Sequence, residues 1–268
     1  MTDQALSDLI GRILEEKQRY LMVSQGRCGS TMLYTALDTH PDMRWYGELF
    51  APEAQPGYAK NWTLGYRLQK AWGEPRGGFS LVDHAISWRL PTKLGMTNLP
   101  LRKVKKTDVK EWAANDAIAR QFIYPILRTV AGALKVILLH RKNLLARYVS
   151  QEFSKQAGIW HIRKRRHISQ MVDAPPVHID PAAAKADIAA MVNLYEELRR
   201  DFPNSIHCTY EGLQSNINGE LSRIFDFLNV RKADVQPATH KIPRPWQDRV
   251  SNMRELKEHF PQFTDGQF

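Results

Sequence analysis

The sequence predicts an α/β protein with a mostly parallel central sheet flanked by helices, and three observations carry that expectation. Short apolar runs at 20–23 and 134–139 have the length and composition of buried strands. Segments of helical period alternate with them, the pattern that builds parallel sheets from strand–helix–strand units. A Gly/Ser/Thr turn joins the first strand directly to a helix over 31–37.

The elements follow in order. Leu6, Leu9, Ile10, Ile13 and Leu14 give residues 1–19 an amphipathic helical stripe leading into the first strand. A second strand is expected at 43–46. Residues 51–100, rich in Gly, Pro and Trp and without a clear period, read as irregular structure with short helices. A third strand follows at 101–106, a helix at 113–130, and the strong strand at 134–139 feeds a helix from Asn143 to about Phe153. Pro175, Pro176 and Pro181 break the chain before a long amphipathic helix over 182–201. A strand at 205–210 and a helix at 221–228 come next, and Pro237, Pro243 and Pro245 fix 236–246 as non-helical.

Composition sets the class. Of 268 residues, 43% are hydrophobic and 25% charged, as in ordinary globular proteins, and the whole length, 1–268, is expected to form a single domain. No apolar run approaches the ~20 residues that cross a bilayer, and the N-terminus does not read as a signal peptide. Cys28 and Cys208 are too few for a disulfide framework, which predicts a reducing, cytoplasmic location. The nine histidines show no metal-ligand spacing, so no metal is expected. Net charge is +10, and residues 101–170 hold 16 Lys/Arg against 4 Asp/Glu, so the rest of the chain is slightly acidic. Such a bias attracts polyanions. It lacks the recognition motif and aromatic interleaving of a nucleic-acid binder, so no nucleic-acid partner is expected.

The first turn carries the chemistry. Gly26, Arg27, Cys28, Gly29, Ser30 and Thr31 stand between strand and helix, where backbone N–H groups and the positive helix end converge on an anion. Ser30 and Thr31 add hydroxyl donors and Arg27 a permanent forked cation. The loop is P-loop-like in place but lacks the Gly-x-x-x-x-Gly-Lys-Ser/Thr pattern. A P-loop kinase or NTPase is therefore the alternative reading of the same opening.

The order Arg27-Cys28-Gly29-Ser30-Thr31 resembles the Lys/Arg-Ser-Gly-Ser/Thr-Thr loop of sulfotransferases, which holds the 5′-phosphosulfate of PAPS (3′-phosphoadenosine 5′-phosphosulfate). Arg141, directly after the strong strand, and Ser150, nine residues later, resemble that family's 3′-phosphate site. Nine is the spacing of its bacterial trehalose-type and nodulation-factor-like groups. The stretch from Pro41 to Glu48 and Phe50 resembles the segment whose Glu is the family's general base, and Glu48 is the matching position. Gly158-Ile159-Trp160 resembles a Gly-x-Trp of the same groups. The stretch from Thr239 to Trp246 resembles the basic loop that closes over the nucleotide, with Lys241 and Arg244 as phosphate contacts and Trp246 packing against a ring.

The resemblance implies transfer of a sulfuryl group from PAPS to a hydroxyl, of a carbohydrate or glycolipid, without a metal. It assigns Glu48 and Arg27 to catalysis, 51–100 and 151–181 to irregular acceptor-side segments where Trp62, Trp72, Trp88 and Trp160 stand, and includes a homodimer among the arrangements relatives adopt.

Overall fold

The computed structural model describes residues 20–48, 77–82, 135–160, 165–238 and 244–264. Five strands form one sheet: β1 (Tyr20–Ser24), β2 (Arg44–Glu48), β3 (Gly77–Val82), β4 (Lys135–His140) and β5 (Ser205–Thr209). Every pairing is parallel and the spatial order is β2-β3-β1-β4-β5. The helices are α1 (Ser30–Asp38), α2 (Leu144–Ala157), α3 (Arg165–Asp173), α4 (Pro181–Asp201), α5 (Tyr210–Ser215), α6 (Ile217–Leu228), α7 (Met253–His259) and α8 (Pro261–Thr264).

The apolar runs are buried on both faces because helices cover both. All five residues of β1 and the four central residues of β4 are buried. Alternation splits them. Tyr20, Met22, Ile137 and Leu139 join a core cluster with Leu33 and Leu37 of α1 and Leu221, Ile224, Phe225 and Leu228 of α6. The opposite face carries Leu21, Val23, Val136 and Leu138, and α4 packs against β4. A continuous apolar strand is the signature of this two-sided cover.

Local chemistry sets the helix ends. Asp180 caps α4, accepting the N–H of Ala182 at 2.9 Å, and Pro181 sits at its first position, where the missing N–H costs nothing. Gly158 ends α2 at φ 66, a left-handed cap that suits glycine. The C-terminal segment docks by a parallel bridge between Val177 and Val250. Asn252 extends it, accepting from Ile179 N at 3.0 Å and donating to Ile179 O at 2.8 Å.

Two expectations are corrected. The stretch 51–100 is not wholly irregular: Gly77–Val82 is β3, seated between β2 and β1. Its two leading glycines and proline-rich surroundings disguise a strand that its neighbours stabilise. Within 151–181, α2 runs on to Ala157 and α3 forms over Arg165–Asp173, with Met171 wholly buried beside Phe153. The expected helix at 1–19, strand at 101–106 and helix at 113–130 lie outside the described residues. Among the described residues no helix is long and apolar enough to cross a membrane.

Leu139 is 1% exposed at the centre of the sheet. Leu139→Ala is expected to destabilise the fold by about 2–5 kcal/mol in a urea titration. A cost below about 1 kcal/mol would contradict the close packing assigned to this face.

Candidate anion-binding site

In an open parallel sheet, ligands bind beyond the carboxyl ends of the strands, where connections diverge to opposite sides. Here that point lies between β1 and β4. The chain leaves β1 toward β2 and β3 on one side, and leaves β4 toward β5 on the other.

The loop 25–29 follows β1. Gln25 is 2% exposed and donates from Nε2 to the Met191 carbonyl of α4 at 3.2 Å, anchoring the loop's base. Arg27 (φ 66) and Gly29 (φ 86) both take left-handed angles. For Arg27 that conformation costs about 1–2 kcal/mol, so its surroundings must enforce it. Gly29 is required for a second reason: an added Cβ would stand 2.8 Å from Cδ2 of Tyr210. Cys28 turns inward. Its Sγ faces Gln25 Oε1 at 3.9 Å and the Gly26 carbonyl at 3.8 Å, and the residue is wholly buried. What Cys28 presents to a ligand is its backbone N–H, not its thiol.

Three of the described helices start at this edge, α1, α2 and α5, and they differ: Thr209 caps α5, accepting from Gly212 N at 3.0 Å. α2 is internally satisfied: Asn143 accepts from Ala146 N at 2.8 Å, and Glu211 accepts from Lys142 N and Asn143 N at 3.0 and 3.2 Å. α1 begins at Ser30 behind Gly29 with no side-chain cap and no acidic residue in its first turn. Of these three helix starts, it is the one that no side-chain cap hydrogen bond closes.

The register of β1 with β4 pairs Ser24 with Leu139, so Arg141 emerges level with Gly26. Arg141 donates to the Arg27 carbonyl at 3.4 Å, lies 4.4 Å over the Tyr210 ring, and has Nε 3.9 Å from Glu211. That Nε is buried without a hydrogen-bond partner among the described residues. Arg27 Nε donates to Ser150 Oγ at 3.0 Å, and Arg27 Nη1 donates to the Trp160 carbonyl. The two sequence segments proposed to hold two phosphates thus meet through Arg27, Arg141 and Ser150.

Further cations border this point. Arg249 is 9% exposed, with Nε donating to the Arg244 carbonyl at 3.1 Å. Burial lowers its pKa to about 10; Arg141, Arg27 and Arg244 push the same way, and Tyr210 opposes them. Arg244 itself spends its guanidinium on the carbonyls of Val172, Ala174 and Asp248, 5.6 Å over the Phe153 ring. Among the described residues, Arg244 and Arg249 are both C-terminal cations at the border of the cluster. Arg147 lies beneath the loop with no exposed surface, donating to the Gly26 carbonyl at 3.4 Å and pairing with Asp187.

Both Arg147 and Arg249 escaped the motif reading. For Arg147 a signal was present, since it shares a helical stripe with Ser150, Gln151 and Ser154. For Arg249 nothing local distinguishes it; only the bridge at Val250 brings it inward.

Glu48 ends β2, at the same carboxyl edge as the loop but two strands away from β1, about 10 Å along the sheet. Ser30 is 6% exposed and Thr31 half-buried in the first turn of α1. Lys241 lies outside the described residues. Trp160 is 42% exposed beside Arg27. Trp246, partly buried, packs against the cluster of Leu145, Val149 and Val250. The chain matches no protein-family model, and no curated protein is significantly similar to it.

Next to Arg141, His140 stacks on Tyr195 with ring centroids 4.1 Å apart, and the Tyr195 hydroxyl meets His207 Nδ1 at 2.8 Å. Burial depresses the His140 pKa to about 4, with His207 and Lys142 adding to the effect and Glu211 opposing it. A folded pKa below the unfolded one means stability complete above about pH 6.5 and lost as pH falls toward 4. His140→Phe is expected to flatten that loss by up to about 3 kcal/mol in denaturation curves across this window. An unchanged slope would remove His140 as its source.

Proposed function

We propose that the protein is a PAPS-dependent sulfotransferase that sulfates a hydroxyl group of a carbohydrate or glycolipid, on a single P-loop-like domain. The observation that carries the reading is the meeting of Arg27, Arg141 and Ser150 beside the uncapped start of α1. A ligand with phosphate groups at two places matches a site with two cationic limbs. The resemblance of both limbs to the sulfotransferase loops supplies the chemistry.

In this reading the 5′-phosphosulfate lies against Gly26, Arg27, Cys28, Gly29, Ser30 and Thr31, the 3′-phosphate against Arg141 and Ser150, and Lys241 and Arg244 are further phosphate contacts. The acceptor oxygen attacks sulfur in line with the bridging oxygen of the phosphosulfate. The new O–S bond forms as the old one breaks, the hydroxyl proton passes to Glu48, and adenosine 3′,5′-bisphosphate leaves. Charge accumulates on the departing 5′-phosphate, where Arg27 and the α1 amides stabilise it without reorganising. Trp160, exposed beside Arg27, offers the acceptor side an apolar surface.

The test is PAPS turnover with a panel of sugar acceptors. Glu48→Gln is expected to lower turnover by about 10²–10⁴-fold while bisphosphate affinity stays within about twofold; normal turnover would remove Glu48 as the base. Ser150→Ala is expected to weaken bisphosphate binding by about tenfold, the worth of one charge-assisted hydrogen bond. Unchanged affinity would displace the 3′-phosphate site. Magnesium-dependent ATP turnover in place of PAPS turnover would identify a P-loop kinase instead.

A further inference from the structure

The cation that organises the loop is one that the proposed chemistry does not use. Arg147 projects from α2 with no exposed surface, an unusual place for a guanidinium unless it is paired. Its Nη2 pairs with Asp187 of α4, and its Nη1 donates to Gln151 Oε1 at 2.9 Å and to the Gly26 carbonyl at 3.4 Å. Its Nε is buried without a hydrogen-bond partner among the described residues. The fork therefore joins three elements: α2, α4 and the loop after β1.

The Gly26 carbonyl is the informative partner. In a trans peptide the C=O and the following N–H point in opposite directions. Drawing the Gly26 oxygen toward Arg147 turns the Arg27 amide the other way. Arg141 repeats the arrangement one peptide later, drawing the Arg27 carbonyl and turning the Cys28 amide. A carbonyl aimed into an anion cradle repels the anion, so a loop holding one needs these oxygens withdrawn.

We propose that Arg147, braced by Asp187, is a positioning residue of the anion loop: it withdraws the Gly26 carbonyl and presents the Arg27 amide to the ligand. The inference rests on the proposed anion site. It predicts an effect separable from stability, because a purely structural ion pair would only hold α2 to α4.

Three proteins separate the alternatives: wild type, Arg147→Lys, and the double variant Arg147→Met/Asp187→Leu. Replacing both members of a buried pair by apolar residues often preserves stability, whereas removing one leaves an uncompensated charge. Lysine keeps the charge but loses the fork that reaches Asp187 and Gly26 together. Calorimetry with adenosine 3′,5′-bisphosphate and with inorganic pyrophosphate reads affinity, and thermal unfolding reads stability. The expected result is a Tm within a few degrees of wild type for the double variant, with at least about tenfold weaker binding of the bound probe. Arg147→Lys is expected to weaken binding by about five- to tenfold. Wild-type affinity in either folded variant would overturn the inference and leave the anion site standing. Failure of wild type to bind either probe would overturn both.

Discussion

Two guanidinium-to-carbonyl contacts hold the site together: Arg147 on Gly26 and Arg141 on Arg27. Arg141 reaches from the β4–α2 connection and Arg147 from α2 itself to the loop after β1, across the point where the chain leaves the two central strands in opposite directions. The sheet dictates this meeting. Parallel pairing of β1 with β4 in their observed register brings residue 141 level with residue 26. Once there, a long cationic side chain finds the loop's oxygens within reach. The same loop takes a left-handed angle at Arg27, and Tyr210 packs close enough to Gly29 to leave no room for a Cβ.

Gathering these cations has an electrostatic cost. Arg27, Arg141, Arg147 and Arg249 cluster at one edge, with Asp187 and Glu211 paired to Arg147 and Arg141. Two like charges ~7 Å apart repel by roughly 2 kcal/mol at an effective dielectric near 20. The depressed pKa of Arg249 records that repulsion together with burial. The buried apolar side chains on both faces of the sheet, with the cluster of α2, α4 and α7 beside them, supply the stability that tolerates it. A multiply charged anion would relieve it, which is why the edge reads as a binding site and not as a solvated basic face.

Much of this architecture is encoded in local sequence pattern. The apolar runs of β1 and β4 announce buried strands, and Gly26 through Thr31 announces a turn into a helix. Arg141 and Ser150 stand out by resemblance to the family's 3′-phosphate site, and the fold brings both beside Arg27. β3 does not stand out, because its stability comes from two flanking strands and its Gly-Gly start argues locally against a strand. α3 was hidden for a related reason: Met171 and Ile168 pack on Phe153, but the helix opens on a basic run that looks like a solvated loop. Arg249 depends on a bridge joining residues 177 and 250, a pairing no local pattern encodes. Arg244 is a different case. The resemblance makes it a phosphate contact, and what the fold adds is that its guanidinium also donates to the carbonyls of Val172 and Ala174.

The most direct test of the central claim is a metal-free thermal shift comparing adenosine 3′,5′-bisphosphate with AMP and ATP. A ligand at a hundred times its Kd adds about 2.7 kcal/mol, roughly 5–10 °C for a chain of this size. That shift is expected with the bisphosphate, and little or none with AMP or ATP at equal concentration. Equal shifts with all three would contradict a site that reads the second phosphate, and no shift with any would contradict the anion cradle itself.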